Sequence, residues 1–267
     1  MLDIFQYSFM NRAFLVGVLI AIIAPIIGVM IVLKRYSMIG DALSHNTLAG
    51  VTMAIVANIN PIVGAFLFSI LSALTIERIR KYFSNYNEMA ISIVMSTGVG
   101  LAGVLSGFVK DNALLNNFLF GSIVAISDFE LYMIIALSVL VILVITFLYK
   151  DLFYITFDEE GARLSGVKVG AVNFVFMLLA AITIAISARA VGTLVISSLM
   201  TIPAAAAMKI SKSFKTTLLY AIVYALVSVL IGIFISFYVN LKPGGTIVMI
   251  SVALLLLTIA LTKDKNR

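Results

Sequence analysis

The chain is a series of apolar stretches, each about twenty residues long, joined by short segments that hold most of its charge. A helix needs roughly 20 apolar residues to cross a bilayer. Hydrocarbon offers no partner for backbone groups, so such stretches cross as helices. Nine spans are expected, or eight if the most polar one does not cross, at about 12–33, 38–58, 61–79, 89–109, 128–149, 170–188, 190–208, 216–239 and 244–262. The expected fold class is an all-α polytopic membrane protein. A chain that is 63% hydrophobic and 11% charged could not give a soluble core a polar surface. The first run, Phe14 to Leu33, is long enough to span and too long for the core of a cleaved signal. No linker or repeat interrupts the pattern, so 1–267 reads as one transmembrane domain.

Lysine and arginine fix the expected orientation, because they are retained on the cytoplasmic side. With the N-terminus outside and the C-terminus inside, fourteen of the 18 basic residues fall in inner segments, around 34–35, 78–81, 150, 163–168, 209–215 and the C-terminal tail. Four, Arg12, Lys110, Arg189 and Lys242, fall outside. The net charge of +6 is therefore a matter of topology, not a nucleic-acid face. No cysteine is present, which excludes disulfides and thiolate metal sites.

The second span holds the one histidine of the chain, His45, four residues after Asp41. Residues at i and i+4 share a helix face. Ionisable groups at membrane depth are costly and usually belong to an ion or proton path. Imidazole and carboxylate together suit a divalent transition metal. The bland alternative is a buried pair that locks two helices. Two ligands make an incomplete site, but two copies facing each other would bring two Asp and two His to one ion. Such binding needs a neutral imidazole and should weaken in acid.

Other segments carry weaker signals. Pro203 should bend or break the seventh span. The alanines at 204–207 favour helix, and with Lys209, Lys212 and Lys215 they suggest a short amphipathic helix on the inner surface, able to dock in a partner's groove. Asp158 or Thr156 can cap a short inner helix that Gly166 ends. Segment 110–128 reads as an ordinary loop helix or as a re-entrant one. Gly103 and Gly107 form a small-xxx-small pair expected to pack a neighbour. Pro243-Gly244-Gly245 reads as a plain outer turn. A phosphate-binding Gly-x-x-x-x-Gly-Lys-Ser/Thr loop, a Gly-x-Ser-x-Gly elbow and a His-Glu-x-x-His pair are all missing, so the chain itself should not hydrolyse ATP or act as an enzyme.

Taken in order, five motifs resemble the membrane permeases of manganese/zinc ABC importers. They are Gly40-Asp41-Ala42-Leu43-Ser44-His45; Leu119-Phe120-Gly121-Ser122-Ile123; Phe157-Asp158-Glu159-Glu160-x-Ala162-Arg163-x-x-Gly166; Gly192-Thr193-Leu194-Val195 leading to Pro203-Ala204-Ala205-x-Ala207; and Pro243-Gly244-Gly245-Thr246. The resemblance covers about 12 to 262. It implies a permease like those of type II ABC importers in a prokaryotic plasma (inner) membrane. The permease would be a homodimer served by two cytoplasmic ATPase subunits that bind ATP, and by an extracytoplasmic metal-binding protein. It implies that Asp41 and His45 contact or gate the transported zinc or manganese. It also implies that Ala204, Ala205, Ala207, Lys209, Ser211, Lys212 and Ser213 belong to a coupling helix seated in the ATPase. No role carries over to Asp158, Glu159 or Glu160. An ion- or proton-coupled secondary transporter, an ABC permease for an iron chelate or cobalamin-like ligand, and a membrane scaffold are the alternatives. The first would use Asp41 as proton carrier and need a proton gradient but no ATPase partner. The second has no use for a metal-ligand pair, and the third leaves the buried Asp and His unexplained.

Overall fold

A computed structural model describes residues 6–83, 87–110, 112–122 and 126–263. Ile123 and the basic residues of the extreme C-terminus, Lys265 and Arg267, lie outside them. The described residues form α1 (Ser8–Leu33), α2 (Met38–Val56), α3 (Pro61–Tyr82), α4 (Asn87–Ser106), α5 (Asn112–Phe120), α6 (Asp128–Phe147), α7 (Tyr149–Phe157), α8 (Glu159–Leu164), α9 (Val169–Ala190), α10 (Thr193–Ile210), α11 (Phe214–Val239) and α12 (Pro243–Lys263). Eight of these are long and apolar enough to cross a membrane. The ninth long helix, α2, has 19 residues and falls short of that apolarity because it carries Asp41, His45, Asn46 and several hydroxyls.

Helix ends follow local chemistry. Asn60 caps α3 by accepting from the Ile62 amide, with Pro61 at the first helical position. Ser127 and Glu130 close a capping box on α6. Asn240 takes the left-handed conformation that ends α11. As expected, Asp158 caps α8 through a 2.8 Å bond from the Gly161 amide, and Gly166 ends that segment at φ +87°. Thr156 turns back to the Leu152 carbonyl instead.

The long helices form two groups joined by α9. In one, α2 packs between α3 and α4; in the other, α1, α10, α11 and α12 pack together. Gly50 and Gly64 let α2 and α3 touch: a methyl on either would come within 2.2 Å of the other's carbonyl oxygen. Ser69 of α3 donates to the Ala181 carbonyl of α9. The central helices are α1 and α9, with 67% of their spans buried, against 22% for α6 and α12.

Two expectations change. Pro203 does not break α10, which runs on to Ile210. Its missing N–H leaves one carbonyl of the preceding turn without its helical partner, and the four following alanines restore helix at once. No separate short amphipathic helix therefore follows it. Among the described residues, Gly103 and Gly107 pack no neighbouring helix. A side chain at Gly103 would meet nothing within 4 Å, and one at Gly107 would touch only its own helix. The glycine of α4 that does pack is Gly98, against Asn46.

Candidate functional site

Asp41 and His45 lie on the side of α2 that the chain leaves open. The residues of α2 that turn toward α3, α4, α9 and α10 are buried, whereas Met38, Asp41, His45 and Leu48 form one incompletely covered stripe. Met38 is exposed and the other three are half-buried. Neither Asp41 nor His45 makes a hydrogen bond or an ion pair among the described residues. Ser44 and Thr47 beside them donate to carbonyls one turn back, each at 2.7 Å, and so are not turned toward either group. The locking-pair alternative needs a partner that the described residues do not supply.

Two contacts set the depth and rotation of this stripe. Gly40 lies against Ser197 and Met200, near the middle of α10. Asn46 is buried and donates to the carbonyl of Val94, near the middle of α4, at 2.8 Å, as well as to Ala42 of its own helix. Gly98 leaves the space that Asn46 fills: a methyl there would come within 2.6 Å of the amide nitrogen. The carboxylate thus sits level with the middle of α10, and the imidazole, one turn further on, level with the middle of α4. Asp41 is also in the first turn of α2, where unpaired backbone N–H groups favour a negative side chain. A half-open carboxylate and imidazole on one helix face supply two of the ligand types that a divalent transition metal accepts. A second chain could complete its coordination.

The segment expected to dock on a partner divides in two. Ala204 and Ala207 are fully buried in the packing of α10. Ala205, Met208, Lys209, Lys212 and Ser213 are exposed, and Ser211 is half-buried. Ser211 shares a 2.7 Å hydrogen bond with Thr217, and Ser213 closes a capping box with Thr216 at the start of α11. A methyl on Gly28 of α1 would overlap the Met200 carbonyl. Beyond that crossing α10 has ten more residues and α1 only five, so the docking face rides on the longer overhang.

At the other end of the helices, three motifs converge that the sequence shows only as separate turns. Gly121 is at φ +78° and Gly192 at φ +101°, conformations that a side chain resists. A methyl on Gly121 would lie 2.5 Å from the Ala190 carbonyl, and one on Gly192 would lie 2.5 Å from that of Leu119. Gly244 meets the carbonyls of Val191 and Phe120 at 2.2 and 2.6 Å in the same sense. Pro243-Gly244 is therefore an interlock rather than a plain turn. It fixes α5, a 9-residue helix, against α10 and α12. Beside it, Arg189 pairs with Glu130 at 3.2 Å, both side chains 11% exposed, and stacks over Phe118 at 4.9 Å. Arg12 reaches Asp128 at 2.7 Å. A cavity of about 480 Å³ opens here between Phe9, Ser122, Phe237 and Lys242. Sequence reasoning missed the Glu130–Arg189 pair. The available signal was an arginine in the last turn of an apolar span, which demands a partner.

The described residues are all helix or connection, with eight helices long and apolar enough to cross a membrane, the architecture of a multi-pass membrane protein. The sequence matches the ABC 3 transport family over residues 6–262, and the chain belongs to that family. It is a metal-type ABC transporter permease. It is 40% identical over 260 residues, 97% of each chain, to a probable metal transport system membrane protein of Treponema pallidum (strain Nichols). It is 30% identical to the manganese import system permease protein ScaB of Streptococcus gordonii, covering 95% of this chain and 91% of that one. Among solved structures it resembles PsaBC from Streptococcus pneumoniae in complex with Fab, with TM-score 0.85 and 26% identity, covering 96% of this chain and 92% of that one.

Proposed function

We propose that this chain is the membrane-spanning subunit of an ATP-driven importer of a divalent transition metal, zinc or manganese, in a prokaryotic plasma membrane. Two copies face each other across the open stripes of α2. The metal arrives from an extracytoplasmic binding protein and passes Asp41 and His45 as transient ligands. A transport site gains from having few ligands per chain, because the ion must leave again. Two ATPase subunits seat on the exposed part of 204–213, chiefly Ala205, Lys209, Ser211, Lys212 and Ser213, and drive a rigid-body change that opens the inner side. The observation that carries this reading is the pair Asp41 and His45, half-buried within α2 and without a hydrogen-bond or ion-pair partner among the described residues. Family membership supports it, as does a relative described as a manganese import permease. Imidazole and carboxylate accept both metals, so the pair alone does not choose between them.

The test is uptake of radioactive zinc and manganese by cells that co-express this chain, its ATPase and its binding protein. Wild type is compared with Asp41→Asn and His45→Gln at matched membrane expression. One metal should accumulate in wild type and neither in the variants. Normal uptake by both variants would make the pair structural. Uptake that follows a proton gradient and survives an inactive ATPase would favour a secondary transporter.

A further inference from the structure

α7 stands between the docking turn and the segment that leads into α2. It carries Tyr149, Phe153 and Phe157 at four-residue spacing, so the three rings share one face. All three rest on one ring, Phe214, with centroids 5.8, 5.2 and 5.9 Å away; Phe153 and Phe157 meet it edge-on at 63° and 81°. Phe214 is buried and opens α11 directly after 211–213. The adjoining face of α7 buries Leu152 and Ile155 in the main core, where α7 meets α1 and α9. α7 is followed at once by α8, the single extended residue Asp158 ending one and capping the other, and Tyr154 is hydrogen-bonded to Ser165 beyond it at 3.1 Å. Glu159 of α8 acts electrostatically on Lys34 and Tyr36, in the turn that joins α1 to α2. Lys34 is itself bonded to Asn173 of α9 at 2.5 Å.

We propose that α7 is the lever that carries movement of the 209–213 turn to the α1–α2 segment, with Phe153 and Phe157 as the positioning residues that engage it through Phe214. This rests on the metal-import reading above. Packed interiors are stiff and transmit small displacements. Helix shifts of about 1–2 Å are the usual scale of such transitions. A displacement of Phe214 bears on the aromatic face of α7, whose aliphatic face bears on α1 and α9, the helices that Lys34 and Asn173 tie together. The N-terminus of α2, with Asp41 in its first turn, starts four residues later. Edge-on rings suit this role because they engage without being sealed in. Phe153 and Phe157 are 41% and 59% exposed, so truncating them empties no enclosed cavity.

The experiment uses the full complex of this chain, its ATPase and its binding protein in proteoliposomes. Metal taken up and ATP hydrolysed are counted in the same vesicles, with whichever of zinc or manganese wild type imports. The double variant Phe153→Ala and Phe157→Ala should keep its ATPase subunits and its hydrolysis, while metal moved per ATP falls about tenfold, within the range of ordinary coupling energies. Phe153→Tyr, which keeps the ring, should keep the wild-type ratio. An unchanged ratio in the double variant, or an equal loss in Phe153→Tyr, overturns the lever. If the alanine pair fails to assemble, the pair Phe153→Leu and Phe157→Leu takes its place: a fall in metal moved per ATP supports the lever, and an unchanged ratio overturns it. A wild-type complex that imports neither metal refutes the import reading itself, and is told apart by wild type alone.

Discussion

At the outer end of the bundle, α5, α10 and α12 meet backbone against backbone at Gly121, Gly192 and Gly244, with the Glu130–Arg189 pair sealed beside them. At the inner end, the turn between α1 and α2 is held by side chains. Lys34 donates to Asn173, and Arg80 donates to Tyr36, stacks on its ring and pairs with Glu77 at 3.4 Å. Backbone interlocks tolerate almost no sliding, because the next atom is a carbonyl rather than a rotatable group. Side-chain contacts can be remade in a second arrangement. The comparison assigns the fixed frame to the outer end and the moving parts to the inner end, which is where an ATP-driven partner would act.

The largest effect should come from putting a side chain into the interlock. Gly192→Ala would cost about 1–3 kcal/mol from its backbone conformation alone, with a collision against the Leu119 carbonyl in addition. Membrane accumulation and Tm should both drop sharply. Wild-type stability in this variant would show that the outer end can shift.

Next comes Glu130→Gln, which takes the negative charge away from Arg189 in a buried site. Removing one partner of a buried ion pair outright costs about 3–5 kcal/mol; glutamine still accepts from Arg189, so the loss should fall below that range. Thermal unfolding in detergent should show the loss, and the double variant Glu130→Gln with Arg189→Met should recover part of it.

Lys34 gives a smaller, pH-dependent effect. Burial, opposed by Glu159, lowers its pKa from 10.5 to about 8. An ammonium whose pKa falls on folding destabilises the fold while it is charged. That penalty is complete below pH about 8 and fades as pH rises toward 10.5. Across that window the Tm of wild type should rise relative to Lys34→Gln. A parallel pair of curves would contradict the burial argument. The smallest effect should be Arg12→Ala, because Asp128 is 72% exposed and surface pairs contribute about 0–1 kcal/mol.

The helical spans were legible because lipid imposes one rule on every crossing segment: length and apolarity. Asp41 and His45 were legible because the same rule makes any ionisable group inside a span conspicuous. Their open setting was not. It depends on Asn46 reaching Val94 and on Gly40 meeting Ser197, contacts between helices that local periodicity does not encode. Pro243-Gly244-Gly245 looked like a turn because its glycines mark one. That Gly244 is there to let Val191 and Phe120 approach is visible only in three dimensions. Lys34 and Asn173 lie 139 residues apart. At Pro203 local reasoning put too much weight on the proline and too little on the alanines after it.

The central claim is that a divalent metal touches the open face of α2, and the chain's single histidine allows a direct reading. The permease, purified with a tag that contains no histidine, is labelled with nitrogen-15 at histidine and loaded with manganese. Pulsed electron paramagnetic resonance then looks for imidazole nitrogen coupled to the metal. Coupling that changes with the isotope and vanishes in His45→Gln is the result the account predicts. Bound manganese with no histidine coupling would contradict it.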